Sequence, residues 1–189
     1  MHFRSFESPV YVERRKNLLK QINNGIIVFL GNQESPMNYR DNTYRFRQDS
    51  TFLYYFGIDV PGLAAIIDAY GGDEVIFGNE LTIDDVVWTG TLPTIDEMAN
   101  KCGVSKVMPY DQLAVHIRNA QKSKRNIHFL PPYRHDNLIR MSEWLSIPSS
   151  IVSEMSSLNL IKAVAAQRSI KDTLEIIELD KAATITANM

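Results

Sequence analysis

Short apolar runs separated by polar turns divide the chain into alternating strand and helix candidates. The clearest strand candidate runs from Ile26 to Leu30, is rich in β-branched residues and is closed by Gly31, which is typical of a buried strand. The runs 63–69 and 74–77 flank the tight turn 71–73, a pattern that predicts a β-hairpin. Because a hairpin is antiparallel, any sheet that contains it together with parallel crossovers is mixed.

Helical periodicity predicts the elements around these strands. Apolar residues at helical spacing between Tyr11 and Ile22, followed by Asn23-Asn24-Gly25, indicate an amphipathic helix with a C-terminal stop. Alternating helices and strands in the second half favour a layered α/β domain, with a mixed β-sheet flanked by helices. The elements predicted there are helices over 94–101, 111–120 and 136–145 and strands over 104–108 and 126–130.

An aromatic run, FRQDSTFLYYFG at positions 46–57, is the most distinctive feature of the chain. Large residues at consecutive positions of Thr51–Gly57 predict a further strand that is covered on both faces. The polar residues at its entrance are expected to cap the sheet through side-chain hydrogen bonds, which is a structural role: Arg47, Gln48 and Asp49.

The last segment continues in helical pattern, over 160–167 and again over 170–189. No Gly or Pro follows its final turn, so we expect these residues to be part of a longer polypeptide.

Composition narrows the classes of function. The 189 residues are 44% hydrophobic and 22% charged, with a net charge of −2 and a pI near 6.1, so binding to nucleic acid is not favoured. No run of about 18 apolar residues and no secretory signal is present, and a single cysteine allows no internal disulfide. We therefore expect a soluble cytoplasmic protein with no membrane partner.

The sequence offers no recognisable catalytic or metal centre. There is no His-Glu-x-x-His, no phosphate-binding loop and no nucleophile elbow, and one Cys cannot build a thiolate zinc site. We expect Cys102 to be a packed thiol. Of the four histidines, His128 and His135 are the candidate neighbours, but polar histidines in loops are the preferred interpretation. The histidines are His2, His116, His128 and His135.

The aromatic run 46–57 resembles the signature of the N-terminal domain of Xaa-Pro aminopeptidases (aminopeptidase P), a domain shared more loosely with prolidase and creatinase. Further matches are Arg14-Arg15 followed by Gly25-Ile-Ile-Val-Phe-Leu-Gly31, then Val87-Trp88-Thr89-Gly90, and finally Gln167-Arg168-Ser169-Ile170-Lys171-Asp172 with Glu175-Ile176. The resemblance covers nearly the whole chain.

This resemblance implies a two-domain enzyme. Residues 1–155 would form the N-terminal domain, and 156–189 the linker and first helix of a "pita-bread" catalytic domain. That second domain would hold two divalent metal ions, commonly manganese, on two Asp, one His and two Glu, and a metal-activated water would cleave before proline in the second position. None of these ligands is expected within this sequence.

The resemblance also implies that the N-terminal domain contributes to homo-oligomer contacts and limits access to the active site. Trp88 is the candidate for the rim of the substrate pocket, with a purely packed Trp as the alternative. Asp41 and Tyr44 are candidates for reaching across a subunit interface. Three other functions stay open: a prolidase that cleaves only Xaa-Pro dipeptides, a catalytically inactive scaffold, and a stand-alone ligand-binding domain.

Overall fold

The computed structural model describes residues 6–90 and 92–189, together with the side chains of these residues except that of Thr89. Within them, five strands form one sheet in the order β4-β3-β2-β1-β5. The strands are β1 (Ile26–Leu30), β2 (Ala64–Asp68), β3 (Glu74–Phe77), β4 (Val107–Met108) and β5 (Ile127–Phe129).

The pairing of these strands confirms the predicted mixed sheet. Strand β1 runs antiparallel to β2, with Val28 opposite Ile66, and β2 and β3 form the antiparallel hairpin. Both edge strands are parallel to their neighbours, β5 to β1 and β4 to β3. Both parallel connections contain helices, as crossovers require.

Helices cover both faces of the sheet. They are α1 (Ser8–Leu19), α2 (Ser50–Phe56), α3 (Ile83–Thr89), α4 (Ile95–Lys101), α5 (Gln112–Lys122), α6 (His135–Leu145), α7 (Ser149–Val152), α8 (Leu158–Ser169) and α9 (Thr173–Ala187). The helices predicted around 11–22, 94–101, 111–120, 136–145 and 160–167 are present with shifted ends.

Two apolar clusters make up the core, one on each face of the sheet. The alternation of side chains along β1 sends Ile27 and Phe29 into one cluster and Ile26 and Val28 into the other. Helices α1, α2, α4 and α8 pack on the first face, and α5, α6 and α7 on the second. Burial on both faces explains why β1 is a continuous apolar run.

The strand predicted over Thr51–Gly57 is wrong, because these residues form α2. Asp49 precedes the helix and its Oδ1 accepts hydrogen bonds from the backbone N–H groups of Thr51 and Phe52, both at 2.8 Å. Gly57 ends the helix with φ of +64°. Helical spacing, not alternation, therefore decides which large residues of the segment are buried: Phe52, Tyr55 and Phe56.

Among the described residues, no helix is long and apolar enough to cross a membrane.

Candidate functional site

Helix α3, which the sequence analysis did not predict, carries the candidate rim residue Trp88. A capping box starts the helix: Asp85 N donates to Thr82 Oγ1 at 3.2 Å, and Thr82 N donates to Asp85 Oδ2 at 2.9 Å. The hydrogen bond from the Thr82 hydroxyl also lowers the pKa of Asp85. Gly90, with φ of +77°, follows the last turn.

The apolar side chains of α3 face solvent. Trp88 is 87% exposed, Ile83 84% and Val87 74%, and no described side chain of the helix is buried. The Trp88 ring therefore lies on the surface of this chain. Because exposed apolar groups on a short helix gain nothing within this chain, α3 is a candidate contact surface.

The loop before the aromatic signature holds the other two candidates. It is closed by an antiparallel bridge between Pro36 and Thr43 and by hydrogen bonds from Met37 N to Asn42 O at 2.8 Å and from Tyr44 N to Ser35 O at 2.9 Å. Asp41 is exposed at its tip, and the side chain of Tyr44 is 60% exposed. These side chains can therefore contact a neighbouring surface.

No hydrogen bond or ring contact connects Trp88 with Asp41 or Tyr44 among the described residues.

The signature residues Gln48 and Asp49 hold the local fold together. Gln48 is 2% exposed; its Oε1 accepts from Asn32 N at 2.6 Å and its Nε2 donates to Val60 O at 2.7 Å. Gln48 therefore joins the two loops that follow β1 and α2. Asp49 was expected to cap the sheet, but it caps α2 instead.

No metal centre is formed by the described residues, in which no three His, Cys, Asp or Glu side chains are grouped to hold a metal ion. His128 is buried on β5, where its Nδ1 lies 2.7 Å from Ser157 Oγ and its Nε2 lies 3.1 Å from Asn24 O. His135 is exposed at the start of α6. His2 lies outside the described residues.

The single thiol is also inaccessible. Cys102 is 1% exposed and its Sγ donates to Ala99 O at 3.1 Å. Burial raises the pKa of this thiol to about 11, so almost none of it is thiolate near neutral pH. Cys102 is a packing residue.

A surface pocket with a volume of about 210 Å³ lies between α5 and the strands of the hairpin. Arg125 lines it and donates Nη1 to Asp68 Oδ2 at 2.8 Å and Nη2 to the Gly25 carbonyl at 2.9 Å. The Arg125 hydrogen bonds lower the pKa of Asp68 to about 2. These charges are paired with each other, so the pair ties the β1 and β2 ends together.

Comparison with known proteins agrees with this architecture. The profile of the family "Aminopeptidase P, N-terminal domain" matches residues 11–128. A probable Xaa-Pro aminopeptidase of Sordaria macrospora is 26% identical over 86% of this chain and 27% of its own length. The Xaa-Pro dipeptidase of Homo sapiens is 30% identical over 53% of this chain and 20% of its own length.

Solved structures share the fold. Aminopeptidase PepP of Pseudomonas aeruginosa superposes with a TM-score of 0.64 at 20% identity, over 79% of this chain and 34% of that one. The Asp260Ala form of Escherichia coli aminopeptidase P superposes with a TM-score of 0.62 at 17% identity, over 76% of this chain and 33% of that one. The chain thus spans only about a third or less of the proteins it matches. On the match over residues 11–128, the chain belongs to the family of aminopeptidase P N-terminal domains.

Proposed function

We propose that this chain is the non-catalytic N-terminal domain of a metal-dependent Xaa-Pro aminopeptidase, which removes N-terminal residues that precede proline. The observation that carries the proposal is the family match over residues 11–128. Two curated relatives that match over most of this chain are named Xaa-Pro aminopeptidases, and in each the match takes up only about a third of the protein. The remaining length of such proteins is where the proposal puts the chemistry.

The described residues do not fit the pair of divalent ions, proposed to be manganese, that this activity implies. They contain no cluster of three or more His, Cys, Asp or Glu side chains able to hold a metal. We therefore assign the metal ligands to a catalytic domain outside these 189 residues, and no reaction step to the residues of this chain.

Residues 1–155 form the N-terminal domain in this proposal, and 156–189 are the linker and first helix of the catalytic domain. Two features of the second segment support its role as a connection. Leu160 and Ala163 of α8 are buried in the first core cluster, whereas no described residue of α9 is buried. The segment is thus anchored at one end and unpartnered at the other.

The role proposed for the domain is to assemble a homo-oligomer and to restrict access to the active site. Exposure of Trp88, Ile83 and Val87 on α3 supports a place for this helix at the rim of a substrate pocket. Asp41 and Tyr44 on the 36–44 loop are proposed to reach across a subunit interface. A narrow mouth would admit the flexible N-terminus of a peptide and exclude folded chains.

The partners in this proposal are peptides with proline in the second position and further copies of the same protein, with no nucleic acid and no membrane. The proposed location is the cytoplasm. One relative, 25% identical over 88% of this chain, is named a mitochondrial peptidase of Arabidopsis thaliana, so mitochondria are the alternative location.

A prolidase is the second candidate, favoured by the 30% identity to the human Xaa-Pro dipeptidase over 100 residues. A family member without catalysis, which keeps the domain for binding, is the third. The sequence of the catalytic domain distinguishes the non-catalytic member from the aminopeptidase and the prolidase, because a scaffold has no need of five intact metal ligands.

The test compares the 189-residue chain with the longer polypeptide that contains it, using Xaa-Pro dipeptides and Xaa-Pro-Yaa tripeptides in the presence of manganese. We expect activity only in the longer polypeptide, and on tripeptides. Activity confined to dipeptides would identify a prolidase, and turnover by the 189-residue chain alone would overturn the proposal.

Trp88→Ala in the longer polypeptide tests the rim. We expect a raised KM for Xaa-Pro peptides, because the exposed indole would no longer contact the bound peptide. Tyr70→Ala is the matched control, since Tyr70 is 90% exposed on the turn between β2 and β3. Unchanged kinetic constants for Trp88→Ala would remove Trp88 from the rim.

A further inference from the structure

Arg14 connects α1 to the beginning of α9, 158 residues further along the chain. Its Nη2 donates to Asp172 Oδ2 at 2.9 Å and lies 3.5 Å from Glu175 Oε1. These two carboxylates form the capping box of α9: Glu175 N donates to Asp172 Oδ1 at 2.8 Å, and Asp172 N donates to Glu175 Oε2 at 3.1 Å. One guanidinium therefore holds both residues that start the helix.

The Arg14 side chain is itself fixed by the body of the domain. Its Nη1 donates to the carbonyl of Tyr54 at 3.0 Å, and its guanidinium carbon lies 4.0 Å from the centre of the Tyr54 ring. The residue is only 7% exposed. Because the cation is buried and held on two sides, its attraction for the carboxylates is screened less by water and salt than that of an exposed pair.

The end of α8 is held by the same two helices, α1 and α2. Gln167 Nε2 donates to Arg14 O at 3.1 Å, and the Tyr55 hydroxyl donates to Gln167 Oε1. Arg168 Nη1 donates to Thr51 Oγ1 at 3.0 Å. The chain is therefore anchored up to residue 168 and reaches the capping box of α9 only four residues later.

Beyond its first turn, α9 has no such anchor. None of its described residues is buried, and apolar side chains further along, such as Ile177, Leu179 and Ile185, are 44%, 54% and 64% exposed. The direction of the helix relative to the sheet therefore depends on the contacts at its first turn.

We propose that Arg14 is a positioning residue that sets the direction in which α9 leaves the domain, by holding the Asp172 and Glu175 carboxylates against α1 and α2. The inference goes beyond the proposed function, since it concerns contacts within this chain. Its consequence for catalysis rests on that function: if α9 opens the catalytic domain, Arg14 fixes how α3 and Trp88 stand relative to the active site.

The test measures the distance between spin labels at Lys122→Cys on α5 and Ala183→Cys on α9 by pulsed electron spin resonance. Both positions are exposed, and the native Cys102 is buried, so the label goes to the introduced thiols. We expect one narrow distance distribution in the otherwise native chain. Arg14→Gln and Asp172→Asn should each lose that narrow peak and give a broad distribution.

Three further measurements separate positioning from folding. Asp172→Asn keeps a good N-cap residue, so circular dichroism should show the native helix content while the ion pair is weakened. Arg14→Lys keeps the charge but cannot hold Tyr54 O and Asp172 at once, so we expect it to restore the narrow peak only in part. Lys16→Gln removes the same charge from the exposed face of α1 and should leave the distribution narrow.

A narrow, native distribution in folded Arg14→Gln would overturn the inference. If that variant does not fold, Asp172→Asn decides, because Asp172 has a side chain 45% exposed and its loss leaves no buried cavity. Failure to find Xaa-Pro peptidase activity would remove the proposed function and leave these distances unaffected, so the two failures are distinguishable.

Discussion

Arg15 Nε lies 2.8 Å from Glu74 Oε1, an ion pair that joins α1 to β3 within the first core cluster. The Arg15 side chain is 0% exposed. Its Nη1 donates to the carbonyl of Tyr55 at 2.8 Å and its Nη2 to that of Cys102 at 2.9 Å. Both carbonyls are at the C-terminal ends of short helices, α2 and α4, where a cation is favoured. One buried charge thus binds four elements.

Arg15→Met should therefore be strongly destabilising. The substitution leaves Glu74 without its cation and two helix-end carbonyls without a donor, and breaking a buried pair from one side costs about 3–5 kcal/mol. Urea unfolding monitored by tryptophan fluorescence measures the change. Lys16→Met, on the exposed face of the same helix, is the control and should stay within about 0.5 kcal/mol. A loss below about 1 kcal/mol for Arg15→Met would contradict this account.

Two glycines with similar backbone angles allow the cost of backbone strain to be measured apart from the cost of steric crowding. Gly57 has φ of +64°, and a Cβ there would collide with the Tyr11 ring; Gly72 has φ of +76°, and a Cβ there would meet no atom within 4 Å. Gly72→Ala should lower the free energy of unfolding by about 1–2 kcal/mol, because alanine is strained in the left-handed region. Gly57→Ala should lower the free energy of unfolding by about 1–3 kcal/mol more than Gly72→Ala does, because the Tyr11 ring must move. Equal losses in thermal or urea unfolding would show that Tyr11 gives way freely.

The cap of α2 makes a smaller contribution. Asp49→Ala removes the acceptor of two backbone N–H groups, and we expect a loss of about 1 kcal/mol. Asp49→Asn should restore most of it, since Asn caps almost as well. Asp59→Ala, at an exposed position just after the helix, is the matched control. If Asp49→Ala and Asp59→Ala unfold at the same urea concentration, the cap adds nothing measurable.

The sequence predicted most of the sheet because its signals are local. β1 is a β-branched apolar run, and the hairpin of β2 and β3 contains its turn residues. The strand prediction for Thr51–Gly57 was wrong because the five large residues of this segment fit both an alternating and a helical pattern. The deciding signals were Asp49 and Gly57, an N-cap and a left-handed C-terminal glycine at either end of seven residues.

Local sequence patterns predicted less of the candidate site. Trp88 was singled out as a candidate rim residue, but its helix was missed although Thr82 and Asp85 form a capping box. The contact of Arg14 with Asp172 was beyond prediction from local pattern, since the two residues are far apart in sequence and meet only once α1, α2 and α8 have packed.

We expect His128 to make the stability of the domain depend on pH. The carbonyl of Asn24 can only accept, so His128 Nε2 carries the ring proton and Nδ1 accepts from the Ser157 hydroxyl. Burial lowers the pKa of His128 below its usual value of 6.5, because the charged ring is poorly solvated. Protonation of Nδ1 would also remove the acceptor of the Ser157 hydroxyl, which caps α8 by accepting from Leu160 N.

The folded state therefore binds a proton at His128 less readily than the unfolded state does. The stabilisation that comes from the neutral ring is complete above the unfolded pKa of about 6.5 and is lost as the pH falls through it towards the lowered folded pKa. We expect the free energy of unfolding, from urea titrations, to fall between pH 7.5 and 5. His128→Gln should flatten this fall, whereas His135→Gln, which removes an exposed histidine, should keep it. The same pH dependence in His128→Gln and the native chain would mean that other groups cause the loss.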